Sequence, residues 1–357
     1  MLSVVLLLLL LSIIVTVHEF GHFLAGRLFN VYISEFSIGM GKSIYQKKGK
    51  ETTFSIRMLP FGGYCAFAGQ TDDKIETVSE EVDINEIPPE RCLNNLSAVK
   101  KIIVYSAGVI MNFLLAFVII SMLYLGVGRA PVSADATIIS VSENYPAAEA
   151  GLMPGDKIIH MSLENGYSSS IDSYSEVSNF LSMYDGNGNV TFTIIRGDEK
   201  LNINVKPVEE DDYYIFGISF DSYSYVETNI LNCWKYGFIY IKEVMLILIT
   251  TVIGLFRGVG YENVSGVVGM YEVTEQAVSY GFATYMSLIA LISLNVGVMN
   301  LVPLPLFDGG RILITLIELI IGKPLDKKFE EAIMNISLAI VFGLFIYVTI
   351  KDVIKLF

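Results

Sequence analysis

Residues 2–17, LSVVLLLLLLSIIVTV, carry no charge and run without a turn signal straight into HEFGHFLAGR. About 20 apolar residues suffice to cross the hydrocarbon of a bilayer as a helix, so a first span is predicted over residues 1–29. Ionisable side chains at membrane depth are costly and rare, which marks the two histidines and the glutamate here as a candidate functional site. The run lacks the basic flank and small-residue cleavage site of a secretory signal, and it reads as an uncleaved span.

Three more spans are predicted, over 102–127, 281–303 and 332–350. Between Trp234 and Phe256, Lys235, Lys242 and Glu243 precede an apolar part that runs only from Val244. Such a stretch suits an interfacial helix, and 230–280 is expected to be amphipathic and interfacial. A composition of 53% hydrophobic and 17% charged residues agrees with a polytopic membrane protein. The formal net charge of −13 excludes nucleic acid as a partner, since that requires basic patches. Cys65, Cys92 and Cys233 are scattered without a CxxC pair, so neither a disulfide framework nor a thiolate metal site is expected.

Charge bias gives the orientation. Residues 27–101 hold ten Lys and Arg, whereas 128–233 hold five against sixteen Asp and Glu. The positive-inside rule places the loop at 30–101 in the cytoplasm and the polar region near the middle of the chain outside. Met1 is then outside, and His18 and His22 lie towards the cytoplasmic end of the first span. If Trp234–Phe256 does not cross, the third span delivers Asp308 to the same depth.

Positions four apart share a helix face, so His18 and His22 point the same way. Two imidazoles so placed can bind one Zn²⁺, with Glu19 beside them as a general base. The competing reading is two neutral histidines satisfied by backbone, which leaves Glu19 uncompensated. A catalytic zinc has three protein ligands and one open position. His160 lies in the polar region and reads as a strand residue. Asp308 follows the helix-breaking Pro303 and Pro305 and precedes Gly309 and Gly310, which permit close backbone packing. It reads as a ligand or as a cap on the helix that follows.

The motifs HEFGH, GVIMN and NLVPLPLFDGG, in that order, resemble the site-2 protease family of intramembrane zinc metalloproteases. The similarity is greatest to the bacterial RseP-like branch with one extracytoplasmic PDZ domain. It implies Zn²⁺ as cofactor, His18, His22 and Asp308 as its ligands, and Glu19 as the catalytic base. It also implies that Asn300 contacts the substrate backbone or transition state, and that Gly108 and Asn112 form a GxxxN pattern whose small residue lets helices approach closely. Phe307, part of an FDG motif at 307–309, stands where the family usually has Leu.

The stretch from Thr52 to Phe67 alternates enough to be strands with Gly62 and Gly63 at a turn, and it reads either as a loop hairpin or as a substrate edge. In the family such a membrane-associated segment adds its edge to an extended substrate, so Gly62, Gly63 and Asn112 are expected beside the substrate. Around 131–222, GLMPGD between short strands and a hairpin about Arg196, Gly197 and Asp198 look like a circularly permuted PDZ domain, with Gly151, Gly155 and Asp156 at its turn. The domain reads as a peptide binder or as a spacer.

The expected fold is therefore a polytopic α-helical membrane protein with four transmembrane helices, a membrane-associated β-hairpin region and an inserted PDZ domain of α+β type. The function implied is regulated intramembrane proteolysis of single-span membrane proteins, such as anti-sigma factors or signal-peptide remnants, after an upstream protease. The alternatives are a catalytically silent PDZ adaptor, against which the intact Glu19 argues, and a metal transporter, which would show repeated halves.

Overall fold

The computed structural model describes residues 2–69, 75–77, 80–82, 87–184, 186–210, 213–256 and 266–355. The chain divides into one unit made of Met1–Gly126 with Cys233–Phe357 and a second, Val127–Asn232. Helix α1 (Leu2–Leu28) leads to strands β1 (Ile33–Lys48) and β2 (Thr53–Phe67), the short pair β3 (Ile75–Thr77) and β4 (Glu80–Val82), and helix α2 (Ala98–Val127). The second unit holds β5 (Arg129–Ser133), β6 (Ile138–Val141), α3 (Pro146–Glu149), β7 (Lys157–Leu163), β8 (Ser168–Ser170), α4 (Tyr174–Leu181), β9 (Val190–Arg196), β10 (Glu199–Val205), β11 (Val208–Glu210), β12 (Tyr213–Ile215), β13 (Ile218–Phe220) and β14 (Tyr223–Glu227). The first unit resumes with α5 (Cys233–Phe256), α6 (Val267–Ser279), α7 (Phe282–Asn300), α8 (Asp308–Ile321) and α9 (Lys327–Lys355).

Helix α1 ends where Asn30 takes a left-handed φ of 57°. The Asn30 N–H then donates to the Arg27 carbonyl and the Val31 N–H to the Gly26 carbonyl. This paired closure satisfies carbonyls that the helix leaves open, and it turns the chain into β1 with Val31 fully buried.

Helices α1, α2 and α7 form the core that positions the site. Leu10 and Ile14 share one apolar cluster with Ala116, Ile119 and Ile120 of α2 and with Leu288, Ile289 and Leu294 of α7. Helix α2 runs opposite to α1, since Val104 lies beside His22 and Asn112 beside His18. Helix α7 runs the same way as α1: the Tyr285 hydroxyl donates to the Leu6 carbonyl at 2.8 Å, while Asn300 reaches His18. Gly21 is obligatory here, because a Cβ on it would meet the Ala107 carbonyl of α2.

Helix α6 sits at the other end of this core. Tyr271 bonds to Ser3 near the start of α1. Asp352, buried near the end of α9, accepts the Gly266 N–H at 2.7 Å and the Gly269 N–H at 3.3 Å at the start of α6. A carboxylate there satisfies donors that the first helical turn leaves open and complements the helix dipole.

Segment 52–67 does not fold into a hairpin on itself about Gly62 and Gly63. Glu35, Phe36, Ser37 and Ile38 of β1 stand between its two halves, opposite Thr53, Phe54, Ser55 and Ile56 on one side and Ala66, Cys65, Tyr64 and Gly63 on the other. The intervening strand is favoured because it buries Phe36 and gives Glu35 partners. The Ser12 hydroxyl donates to the Pro60 carbonyl, and Arg27 and Arg91 both donate to Glu51, so this sheet is tied to α1 at two points.

Five helices among the described residues, where four were expected, are long and apolar enough to cross a membrane by length and composition. The additional one is α5. Counting apolar residues stops at Lys242 and Glu243, but the helix passes through that pair unbroken, and long charged side chains can lie along an apolar helix with their heads in water. Residues 257–265 of the expected interfacial region lie outside the described residues, as do 70–74, 78–79 and 83–86 of the loop at 30–101. The helix expected after Asp308 is α8, 14 residues long, and it begins at Asp308 itself.

The second unit is α+β. Its main sheet has the order β10-β9-β7-β8, and small pairs β13-β6, β14-β5 and β11-β12 surround it. Ile158, Met161, Phe180, Phe192 and Ile194 fill its core. The hairpin β9–β10 turns at Gly197 and Asp198, with Glu199 opposite Arg196. Gly151 and Gly155 have φ of 88° and 92°. Between them and β7, buried Asp156 accepts the Met153 N–H at 2.8 Å and pairs with Arg196 through two bonds of 2.7 Å.

Candidate zinc centre

On α1, one turn places His18 and His22 on the face that meets α2 and α7. Their Nε2 atoms lie 3.2 Å apart. Asp308 Oδ2 is 3.1 Å from His18 Nε2 and 3.3 Å from His22 Nε2. Both histidines are 7% exposed.

Local sequence explains how each group arrives. Helix α7 stops at Asn300, and Pro303 and Pro305 carry an irregular turn to α8. Gly309 and Gly310 let α8 begin against that turn, since a Cβ on either would meet the Leu301 or Leu304 carbonyl. Phe307 is the N-cap of α8 and makes no side-chain capping bond. Asp308, in the first turn, is thus not the cap, and its carboxylate faces the imidazoles. On α2, Gly108 faces both rings: a Cβ there would land on His22 Nε2 and lie 2.8 Å from His18 Nε2.

The donor set fits a cation. His22 Nδ1 lies 2.8 Å from the Val104 carbonyl, which can only accept, so Nδ1 carries a proton and the neutral ring offers its Nε2 lone pair. Asp308 Oδ2 is buried without a hydrogen-bond partner. Such an arrangement of acceptors is costly unless something positive lies among them. Tetrahedral zinc with ligands at about 2.0–2.1 Å sets its ligand atoms about 3.3 Å apart, close to the spacing here. His18, His22 and Asp308 are the one group of three such residues among those described that could hold a metal.

Glu19 is adjacent and lies under β2. The Cys65 backbone N–H donates to its carboxylate, and a Cβ on Gly63 would come within 3.6 Å of its Cγ. Gly62, with φ of 79°, packs instead against Met40. Asn300 Nδ2 is 3.3 Å from His18 Nε2. Asn112 is fully buried, with Nδ2 3.3 Å from His18 Nδ1. His160 is on β7 in the second unit. The Val104 carbonyl has no sequence signal, because any residue could supply it.

A second polar network holds the sheet beside the site. Glu35 accepts from Arg57 and from the Tyr64 hydroxyl, both at 2.7 Å, and Arg57 also donates to Ser37 at 2.9 Å. Burial alone would raise the Glu35 carboxyl, but hydrogen bonds from Ser55, Tyr64 and Arg57, with the Arg57 charge, hold it below its ordinary value. Burial first, and then the Glu35 carboxylate, push the Tyr64 phenol up.

Residues 6–344 match the profile of Peptidase family M50. The chain belongs to that family. This M50 peptidase is 32% identical over 354 residues to the protein CPE1693 of Clostridium perfringens, with 97% of each chain covered. It is 30% identical over 419 aligned positions to the zinc metalloprotease RasP of Shouchella clausii, covering 97% of each. It is 28% identical over 426 to the regulator of sigma-W protease RasP of Bacillus subtilis, covering 99% of each. The M50 peptidase is a zinc metalloprotease of the site-2 type, with Zn²⁺ as its cofactor and a multi-pass membrane architecture.

Proposed function

We propose that His18, His22 and Asp308 hold the zinc, that Glu19 is the general base, and that the protease cuts single-span membrane proteins inside the membrane near its cytoplasmic face. The observation that carries this is the meeting of three metal-ligating atoms 3.1–3.3 Å apart beside a carboxylate that is not among them. Zinc held by these three residues would supply a Lewis acid for the attacking water and the scissile carbonyl. Glu19 is placed to take a proton from the attacking water and to return it to the leaving amine. Asn300 directs an amide N–H towards the same point and can donate to the carbonyl oxygen as charge develops on it.

A transmembrane helix hides its carbonyls in its own hydrogen bonds, so a substrate must be extended before attack. Residues 63–67 pair with β1 on one side, and the Cys65 N–H on the other side points to Glu19. An extended substrate added along that edge would run past the base.

Four crossings with the active site on the inner side agree with the helix directions. Helix α6 lies beside the start of α1 and the end of α9, the end of the core at which α2 finishes and α7 begins. Helix α5 therefore makes no net crossing. Its Trp234, Gly237 and Tyr240 meet Phe117, Ser121 and Tyr124 in rising order, so it starts out in the same direction as α2. The charge bias then sets Met1 and the second unit outside.

In the second unit, a cavity of about 470 Å³ between α4 and β13 is lined by Tyr174, Val177, Leu181, Phe216, Ile218 and Phe220 among others, none of them charged. This supports a PDZ domain taking an apolar chain end, such as an upstream protease would create. The name of the Bacillus subtilis relative supports membrane-bound anti-sigma factors as one substrate class, and the resemblance to the site-2 family adds signal-peptide remnants.

The test is cleavage of a single-span reporter in membranes by wild type and by Glu19→Gln. The variant should keep its zinc and lose cleavage. Equal cleavage by both would remove Glu19 as the base and the mechanism with it.

A further inference from the structure

Asn112 stands at the crossing of three helices. The Ser293 hydroxyl of α7 donates to its carbonyl at 2.9 Å, and its side chain reaches His18 of α1. Asn112 and Ser293 are both fully buried. Two oddities coincide in this side chain. Its Nδ2, which can only donate, lies 3.3 Å from His18 Nδ1, while its Oδ1 is buried without a partner.

Both are resolved by the chemistry of a ligating imidazole. A neutral histidine that gives Nε2 to a metal carries its proton on Nδ1, and that proton needs an acceptor. His22 meets this requirement through the Val104 carbonyl at 2.8 Å. Among the described residues, no such acceptor faces His18 unless the Asn112 amide is turned by half a rotation. The turn exchanges two atoms of nearly the same size within one envelope, and it brings the orphaned oxygen to His18 Nδ1.

We infer that Asn112 is a positioning residue that accepts the His18 Nδ1–H through Oδ1, fixing the tautomer and ring plane that present Nε2 to zinc. This rests on His18 being a ligand, as proposed above. The two histidines are thus held from behind by two groups of α2 eight residues apart, one a backbone carbonyl and one a side chain. Only the second can be changed by substitution.

The experiment compares full-length wild type with Asn112→Asp and Asn112→Leu, purified in detergent. Zinc affinity is read by competition with a chromophoric chelator, and site geometry by the visible absorption of the cobalt(II)-substituted proteins. Losing an outer partner of a ligating histidine weakens metal binding by about 10–100-fold, and that is expected of Asn112→Leu, with an altered cobalt spectrum. Asn112→Asp keeps an acceptor and no donor, so its affinity should equal or exceed that of wild type, with an unchanged spectrum. Aspartate as weak as leucine would overturn the inference, since His18 would then need the amide N–H. Leucine equal to wild type would overturn it as well. If Asn112→Leu is recovered too poorly to assay, the near-isosteric aspartate decides alone. Wild type that takes up no zinc would instead strike the ligand set itself.

Discussion

Gly108 lies against His18 so closely that a single added carbon would sit 2.8 Å from Nε2, the atom facing Asp308. The same carbon would overlap His22 Nε2. Alanine is a better helix former than glycine, so Gly108→Ala costs α2 nothing in propensity. It should nevertheless displace both rings. A misplacement near 1 Å costs about a hundredfold in rate, and reporter cleavage should fall by that order while membrane insertion is unchanged. Normal cleavage and zinc content in the variant would show that the rings have room to spare.

Asp308→Asn keeps the shape of the side chain and removes its charge. With two neutral imidazoles, the aspartate is the one negative group among the three facing atoms. Zinc per protein, measured by metal analysis after dialysis, should drop well below that of wild type. Unchanged stoichiometry would take Asp308 out of the ligand set.

The Glu35 network makes the sheet acid-sensitive. A carboxyl whose folded pKa lies below its unfolded value of about 4.5 adds stability that is present above that value and lost as pH falls through the folded one. Protection of the amides of segment 33–67, taken relative to intrinsic exchange at each pH, should therefore fall below about pH 4.5 in wild type, from this linkage. Glu35→Gln cannot titrate, so it should exchange faster at neutral pH and respond less to acid. Parallel pH profiles for the two proteins would contradict the network.

Cysteine labelling separates the topologies. Tyr280, at the end of α6, is well exposed and predicted outside, whereas Lys50 is predicted inside. In a cysteine-free background, Tyr280→Cys in whole cells should react with a membrane-impermeant maleimide and Lys50→Cys should not. Protection of Tyr280→Cys would mean that α5 carries the chain across.

The parts of this site readable in sequence are those tied to a local rule. Two histidines four apart define a helix face, and Asp308 stands out because prolines and paired glycines surround it. What could not be read depends on distant backbone. The β1 strand between the two halves of segment 52–67 is a long-range pairing, and the sequence favours a local hairpin instead. The Val104 carbonyl is an acceptor that any residue provides. Helix α5 shows the reverse difficulty: Lys242 and Glu243 interrupt the apolar run on paper, but a helix can carry them without a break. The position of α6, from which we propose that α5 makes no net crossing, depends in turn on Asp352 in the last helix.

The wide separation of His18 and Asp308 along the chain has a consequence for biogenesis. While the ribosome is still producing the middle of the protein, the first helix holds two imidazoles and a glutamate with no aspartate opposite them. With Asp308 as the proposed third ligand, a truncated product ending before residue 308 should bind zinc poorly and be inert.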